Sequence, residues 1–267
     1  MPIERLTEKR EFLNCNISIG SYRAFINTLT LNAATLTSTT VCVANVHMLV
    51  EANQDIFMQA ILNRADVVTP DGMPLAKGLE IIYGAKQDRV AGMDLLPSLI
   101  EEAAKRGIGV FFYGSTDEVL NAMIKRATSE YPHLNVAGAY SPPFRAMTEE
   151  EDQEVISMIN KVQPGFVFVG LGCPKQEKWM FKMQGKIHSV MIGLGGAFPV
   201  YARTQTRAPQ WMQDKGLEWL FRLYQEPGRL WKRYLVTNTI FMKLFAQEYY
   251  HKVIRGKVSH KERENWV

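Results

Sequence analysis

The chain predicts an α/β fold, a Rossmann-like and mostly parallel sheet sandwiched by helices, with a helical, basic C-terminal appendage. Three observations carry this reading. Short β-branched runs alternate with amphipathic stretches from residue 14 to 202, and two of those runs are continuously apolar and end in glycine. After Arg203 strand signals stop, while aromatics and cations accumulate. The 267 residues suffice for one large domain with an appendage, and the change of pattern places the boundary between 1–202 and 203–267.

Taken in order, VCVANV (41–46) reads as a strand and is followed by one helical pattern over 48–64. ADVV (65–68) leads through Thr69 into the turn Pro70-Asp71-Gly72 and a helix carrying Leu75, Leu79 and Ile82. GIGVFFYG (107–114) is a strand whose following helix has Ser115 and Thr116 as cap candidates. VAGAY (136–140) is followed, after a Pro-Pro loop, by a helix over about 148–161. GFVFVGLG (165–172) and SVMIGLGG (189–196) read as strands buried on both faces. In the tail, Phe241, Phe245, Tyr249 and Val253 recur every four residues beside Ile240 and Leu244, making one apolar helical face. That face either packs on its own domain or lies in a membrane interface, and Trp219, Trp231, Lys232 and Arg233 favour the interface.

Composition narrows the function classes. A chain 46% hydrophobic and 22% charged is an ordinary globular protein. It has no apolar run long enough to span a bilayer, and the charged first dozen residues exclude a secretory signal. Cys15, Cys42 and Cys173 lie far apart without metal-ligand spacing, as reduced thiols of a cytosolic protein do, and the five histidines lack zinc spacing. From Arg203 to Arg263 there are 13 Lys or Arg against 5 Asp or Glu, an excess of 8 in a chain of net charge +4. The rest is therefore acidic, and the basic part faces something anionic: nucleic acid, a phosphorylated ligand or anionic lipid.

Four turns should share the carboxyl edge of the sheet, where open α/β sheets bind ligands. One carries Asn45 and His47, the histidine reading as structural. The second carries Asp71, whose carboxylate, partly shielded by Val68 and Met73, would have its pKa raised toward that of a general base. The bland alternative is that Asp71 caps the helix starting at Gly72. The third is GLGCPKQEKW, with Gly170, Gly172, Lys175 and a helix opened by Pro174 whose free N–H groups could receive phosphate; the fourth is GLGGAFPV, with Gly193, Gly195 and Gly196. Together they suggest a nucleotide or nucleotide-sugar site. The phosphate-loop, dinucleotide and nucleophile-elbow motifs are missing, and no Asp-x-Asp pair offers a metal site on a diphosphate. A diphosphate here would need cations, for which Arg89, Arg207, Arg222, Arg229, Lys232 and Arg233 are the candidates.

Asn45, VTPDGMPL, RVAGMDLL, GLGCPKQEKW, GLGGAF and RAPQWMQDKGLEWLFRLYQEPGRLWKRY, in that order, resemble the WecG/TagA/CpsF family of bacterial glycosyltransferases, glycosyltransferase family 26. The resemblance runs from about residue 14 to 235, and the segment past Tyr234 is longer than it covers. It implies transfer of a hexose-type sugar from a UDP-sugar to a polyprenyl-diphosphate-linked saccharide at the cytoplasmic membrane face, in cell-surface polysaccharide synthesis. It also implies inversion at the anomeric carbon, without metal or cofactor. Carried over by motif, the catalytic base falls on Asp71, a helper glutamine on Gln176, and the first-turn asparagine on Asn45. Val43 stands where some members have threonine. Arg222, Arg229 and Arg233, with Lys232 sharing the role, match arginines that the family's appendage brings over the site while touching the membrane. A homo-oligomer suits such a family, although no interface motif is visible. The competing reading is a non-catalytic nucleotide-sugar or lipid-phosphate binding scaffold. A dinucleotide enzyme lacks its fingerprint, and helical spacing of the tail aromatics argues against nucleic acid.

Overall fold

The computed structural model describes residues 8–255. It begins with a hairpin, β1 (Glu8–Phe12) and β2 (Cys15–Ile19), paired antiparallel and closed by Leu13 and Asn14, both at positive φ as a two-residue hairpin turn requires. Helix α1 (Tyr22–Ala34) follows, capped by Ser21, whose hydroxyl accepts the Ala24 N–H. Neither hairpin nor α1 is foreseen by the sequence pattern.

From β3 (Thr39–Ala44) onward the predicted alternation appears. The helical pattern of 48–64 is two helices, α2 (Val46–Gln54) and α3 (Ile56–Arg64). They break at Asp55, whose carboxylate turns back to accept the Phe57 and Met58 N–H groups and so starts a new helix. Next come β4 (Val67–Pro70), α4 (Met73–Tyr83), α5 (Gly92–Arg106), β5 (Val110–Gly114), α6 (Asp117–Glu130) and β6 (Val136–Tyr140). The core closes with α7 (Glu149–Val162), β7 (Phe166–Gly170), α8 (Lys175–Met183), β8 (Val190–Gly193) and the single turn α9 (Phe198–Tyr201). The appendage consists of α10 (Gln210–Asp214), α11 (Glu218–Gln225) and α12 (Pro227–Tyr249), continued by a π-helical turn (Tyr250–Arg255).

The main sheet has six strands, all parallel, in the order β4-β3-β8-β7-β5-β6. Alternation along each strand divides its side chains between two cores. Cys42, Phe111, Val167 and Met191 face one layer, with α2, α3, α4, α7 and α8. Val41, Phe112, Phe168 and Ile192 face the other, with α1, α5, α6 and α9. Burial on both faces is why these strands read as continuous apolar runs. Each fully buried Phe or Ile contributes on the order of 1.5–3 kcal/mol.

The apolar face of α12 is used internally. Phe241 and Phe245 pack against Phe12 with ring centroids 6.3 and 6.2 Å away. The Leu13 N–H donates to Glu248 at 2.7 Å, and Lys252 donates to the Glu11 carbonyl at 2.8 Å. Of the two roles open to this face, packing on the chain's own domain is the one it takes. Among the described residues no helix is long and apolar enough to cross a membrane.

Candidate active site

Asn45 and Asp71 each lie one residue past the end of adjacent parallel strands, with Ala44 of β3 in register with Pro70 of β4. The Asp71 N–H donates to the carbonyls of Ala44 (2.7 Å) and Thr69 (3.1 Å), so its backbone is tied to the sheet. Gly72, at φ +96°, occupies the N-cap position of α4 and supplies no side-chain cap. That backbone turn separates the Asp71 carboxylate from its own helix; among the described residues the carboxylate accepts no hydrogen bond. With Asp71 half-buried, its pKa is pushed up to about 7, chiefly by desolvation. Arg89 and Arg222 pull it down, while Glu218 and Asp94 push it up.

Asn45 caps α2, its Oδ1 accepting the Met48 N–H at 3.1 Å. Behind it, Val43 is buried in the core against Leu194 and the α5 layer, so no hydroxyl is offered there. His47 lies on α2 with Nδ1 3.8 Å from Glu51 and without a hydrogen-bond partner. Burial first and Arg233 second lower its pKa.

The two glycine turns are fastened to each other. Gln176 is buried, and its Oε1 accepts the N–H groups of Gly172 and Gly195, both at 3.1 Å, while its Nε2 donates to Glu177 at 2.8 Å. The glycines make room for this clamp: a Cβ on Gly193 would stand 2.8 Å from Gln176 Nε2, and one on Gly195 would stand 2.8 Å from the Gly172 nitrogen. Gly170 instead admits the ring of Phe198, 2.6 Å from where its Cβ would be. Gly172, at φ +79°, has open space before it, and Lys175 is exposed at the first position of α8. Glu177 is fully buried, with Oε2 unpartnered and its pKa raised by desolvation.

The appendage lies across this edge. Gly216 abuts Met73, to which a Cβ would approach within 2.8 Å. The guanidinium of Arg222 sits over Gly196, 3.3 Å from where a Cβ would be, and among the described residues no carboxylate pairs with it. Arg89 and Arg207 are both engaged by acids. Arg89 bonds Asp94 at 2.9 Å and Glu218 at 3.2 Å; Arg207 bonds Asp94 at 2.6 Å and Glu218 at 3.1 Å. Arg233, farther along on α12, has a buried Nε without a partner. The side chain of Arg229 lies outside the described residues. Sequence reasoning singled out the arginines and missed Asp94 and Glu218, although both stand inside the motifs RVAGMDLL and GLEWLF.

Among the described residues no three His, Cys, Asp or Glu side chains group as metal ligands. What the arrangement offers is one carboxylate poised to exchange a proton near neutral pH, beside an unpaired guanidinium, beneath a cap from the far end of the chain.

The Rossmann-like sheet thus carries an acid at its carboxyl edge with a cationic cap over it. The chain belongs to the glycosyl transferase WecG/TagA/CpsF family, whose model matches residues 10–254, through α12 and past the Tyr234 limit of the sequence motifs. It is thus a glycosyltransferase. It is similar to the N-acetylglucosaminyldiphosphoundecaprenol N-acetyl-beta-D-mannosaminyltransferase of Bacillus spizizenii, 35% identical over 72% of this chain and 73% of the relative. The Bacillus subtilis strain 168 enzyme of the same name is 34% identical over 70% and 72%. That of Staphylococcus aureus strain MW2 is 29% identical over 70% and 71%.

Proposed function

We propose that this protein is an inverting, metal-independent glycosyltransferase that moves a hexose-type sugar from a UDP-sugar to a polyprenyl-diphosphate-linked saccharide. The observation that carries the reading is the Asp71 carboxylate: half-buried, free of its helix, and brought to a pKa of about 7. The relatives' name supplies the first substrates to try, an N-acetylmannosamine donor and an N-acetylglucosaminyl-diphosphoundecaprenol acceptor.

Inversion is a single in-line displacement. An acceptor hydroxyl oxygen forms a bond to the anomeric carbon as the bond from that carbon to the UDP oxygen breaks. The hydroxyl proton passes to Asp71, and the bonding pair leaves on the β-phosphate. Charge developing on that phosphate is met by Arg222, with Arg229 and Arg233 following it along the appendage. Asn45, beside Asp71, contacts the sugar or acceptor. Gln176 acts by fixing the Gly172 and Gly195 turns in place, and Arg89 and Arg207 act from within their acid partners. This cation set is what the reading offers in place of a metal.

A lipid-linked acceptor supports work at the inner membrane face. Trp211, Trp219, Leu220, Tyr224, Trp231 and Leu235 are exposed apolar side chains of the appendage. Lys215 and Lys232 lie over the rings of Trp211 and Trp231 at 6.0 and 5.5 Å. Aromatics beside lysines suit an anionic bilayer surface, and they stand apart from the face of α12 that packs inward. The test is UDP release over a panel of UDP-sugars with a short-chain lipid-diphosphate acceptor. The reading expects release with at least one donor and only when acceptor is present. Acceptor-independent release, or none with any donor, contradicts it.

A further inference from the structure

We propose that Glu218 is a positioning residue: by bonding Arg89 and Arg207 through its two carboxylate oxygens it fixes the appendage across the carboxyl edge and holds Arg222 over Gly196. The proposal rests on the functional reading above and adds to it a residue that no substrate need touch.

The four side chains form a closed ring of alternating charge. Each guanidinium bonds both acids and each acid bonds both guanidiniums, at 2.6 to 3.2 Å. The ring is neutral as a whole. Side-chain exposure in it runs from 14% at Glu218 to 33% at Asp94, so loss of one member leaves a partly desolvated charge without its counterpart.

Its anchorage explains its reach. Arg89 precedes Val90, whose N–H bonds the Pro70 carbonyl at 3.0 Å and whose carbonyl accepts the Thr69 hydroxyl at 3.1 Å. Arg89 is therefore held to β4 beside the Asp71 turn. Asp94 sits in the first turn of α5. From the appendage, Arg207 comes from the segment before α10, and Glu218 is the first residue of α11. Arg222 is four residues later on that helix, hence on the same face. Fixing Glu218 fixes the rotation of α11 and with it the direction of Arg222.

Helix α11 has only eight residues, no side-chain cap and no fully buried side chain. A helix that short does not hold itself in water, so its place must come from tethers. Beside the Gly216–Met73 contact, the charged ring is the tether that joins it to the Asp71 turn. Because the two acids occupy Arg89 and Arg207, Arg222 is left without a carboxylate of its own among the described residues.

The test uses full-length wild type, Glu218→Ala, Glu218→Gln, Arg222→Ala and the double variant Glu218→Ala/Arg222→Ala. Amide hydrogen exchange over 208–226 is read without substrate, and kcat/KM with the active donor. Glu218→Ala should speed exchange over 208–226 and lower kcat/KM about a hundred-fold, the scale of a catalytic group displaced by roughly 1 Å. Glu218→Gln, which keeps the shape and loses the charge, should do the same more weakly. Arg222→Ala should then cost far less in the Glu218→Ala background than in wild type, because Glu218 acts through Arg222. Undisturbed exchange over 208–226, or effects that simply multiply, would overturn the proposal. A wild type that transfers from no UDP-sugar would sink the functional reading alone, and the exchange comparison would still decide the role of Glu218.

Discussion

The Asp71 amide donates to the Ala44 carbonyl at 2.7 Å, tying the acid to the neighbouring strand while Gly72 takes the N-cap position of the helix. A carboxylate so placed gains nothing from its own helix and loses hydration. Its raised pKa follows, and with it a measurable liability of the fold.

That liability sets the first prediction. The Asp71 pKa is 3.8 in an unfolded chain and about 7 when folded, so between those values the folded state holds a proton that the unfolded state has released. Stability contributed by this group therefore falls as pH rises from about 4 to 7. Asp71→Asn removes the penalty and should raise the melting temperature at pH 8, with the gain shrinking toward pH 5. Calorimetry at the two pH values checks this; equal melting at pH 8 would mean the acid is not desolvated.

Rate should follow the same ionisation. As a base Asp71 must be deprotonated, so kcat/KM should rise through an acid limb centred near pH 7. Arg222 helps to hold the carboxylate charged, and Arg222→Gln should move the limb to higher pH as well as lower its plateau. A limb that stayed in place would separate Arg222 from the Asp71 field.

Gln176 can be assigned by stability. Gln176→Ala leaves the Gly172 and Gly195 N–H groups without their acceptor and Glu177 without its donor. A buried group left unpaired costs about 1–3 kcal/mol; Glu177 is fully buried and the two glycine turns are partly so, and urea unfolding should show a loss of about that order. A variant as stable as wild type and yet slow would give Gln176 a direct chemical part instead of a clamping one.

The membrane face is separable from the packed one. Replacing Trp211, Leu220 and Tyr224 together by serine touches only exposed apolar side chains. Flotation with anionic vesicles should drop several-fold while thermal unfolding stays unchanged. Undiminished flotation would move the membrane contact elsewhere.

Much of this was legible in the residues. The inner strands β5, β7 and β8 announce themselves because double-sided burial demands unbroken apolar runs, and Pro70-Asp71-Gly72 marks a strand end by turn chemistry alone. The hairpin escaped notice because its turn is Leu13-Asn14, without the glycine that usually signals two residues at positive φ. Helix α1 escaped because Asn27, Thr28, Thr30 and Asn32 are poor helix formers held by packing and a serine cap. Asp55 looked like one polar residue in a long helix, since whether an aspartate caps or merely faces solvent depends on backbone geometry. In the site, the glycines were visible but their purpose was not: Gly193 and Gly195 admit a glutamine side chain. Glu218 was hidden because its partners Arg89 and Arg207 are 129 and 11 residues away, a relation that only the folded chain creates.

The most direct measurement is UDP release by Asp71→Asn beside wild type, at pH 8, with saturating donor and short-chain acceptor and with UDP affinity measured on both proteins. The account predicts a loss of roughly a hundred- to ten-thousand-fold in kcat with UDP affinity unchanged. A variant that binds UDP normally and keeps more than about a tenth of the wild-type rate, far short of the loss expected for a general base, would contradict it.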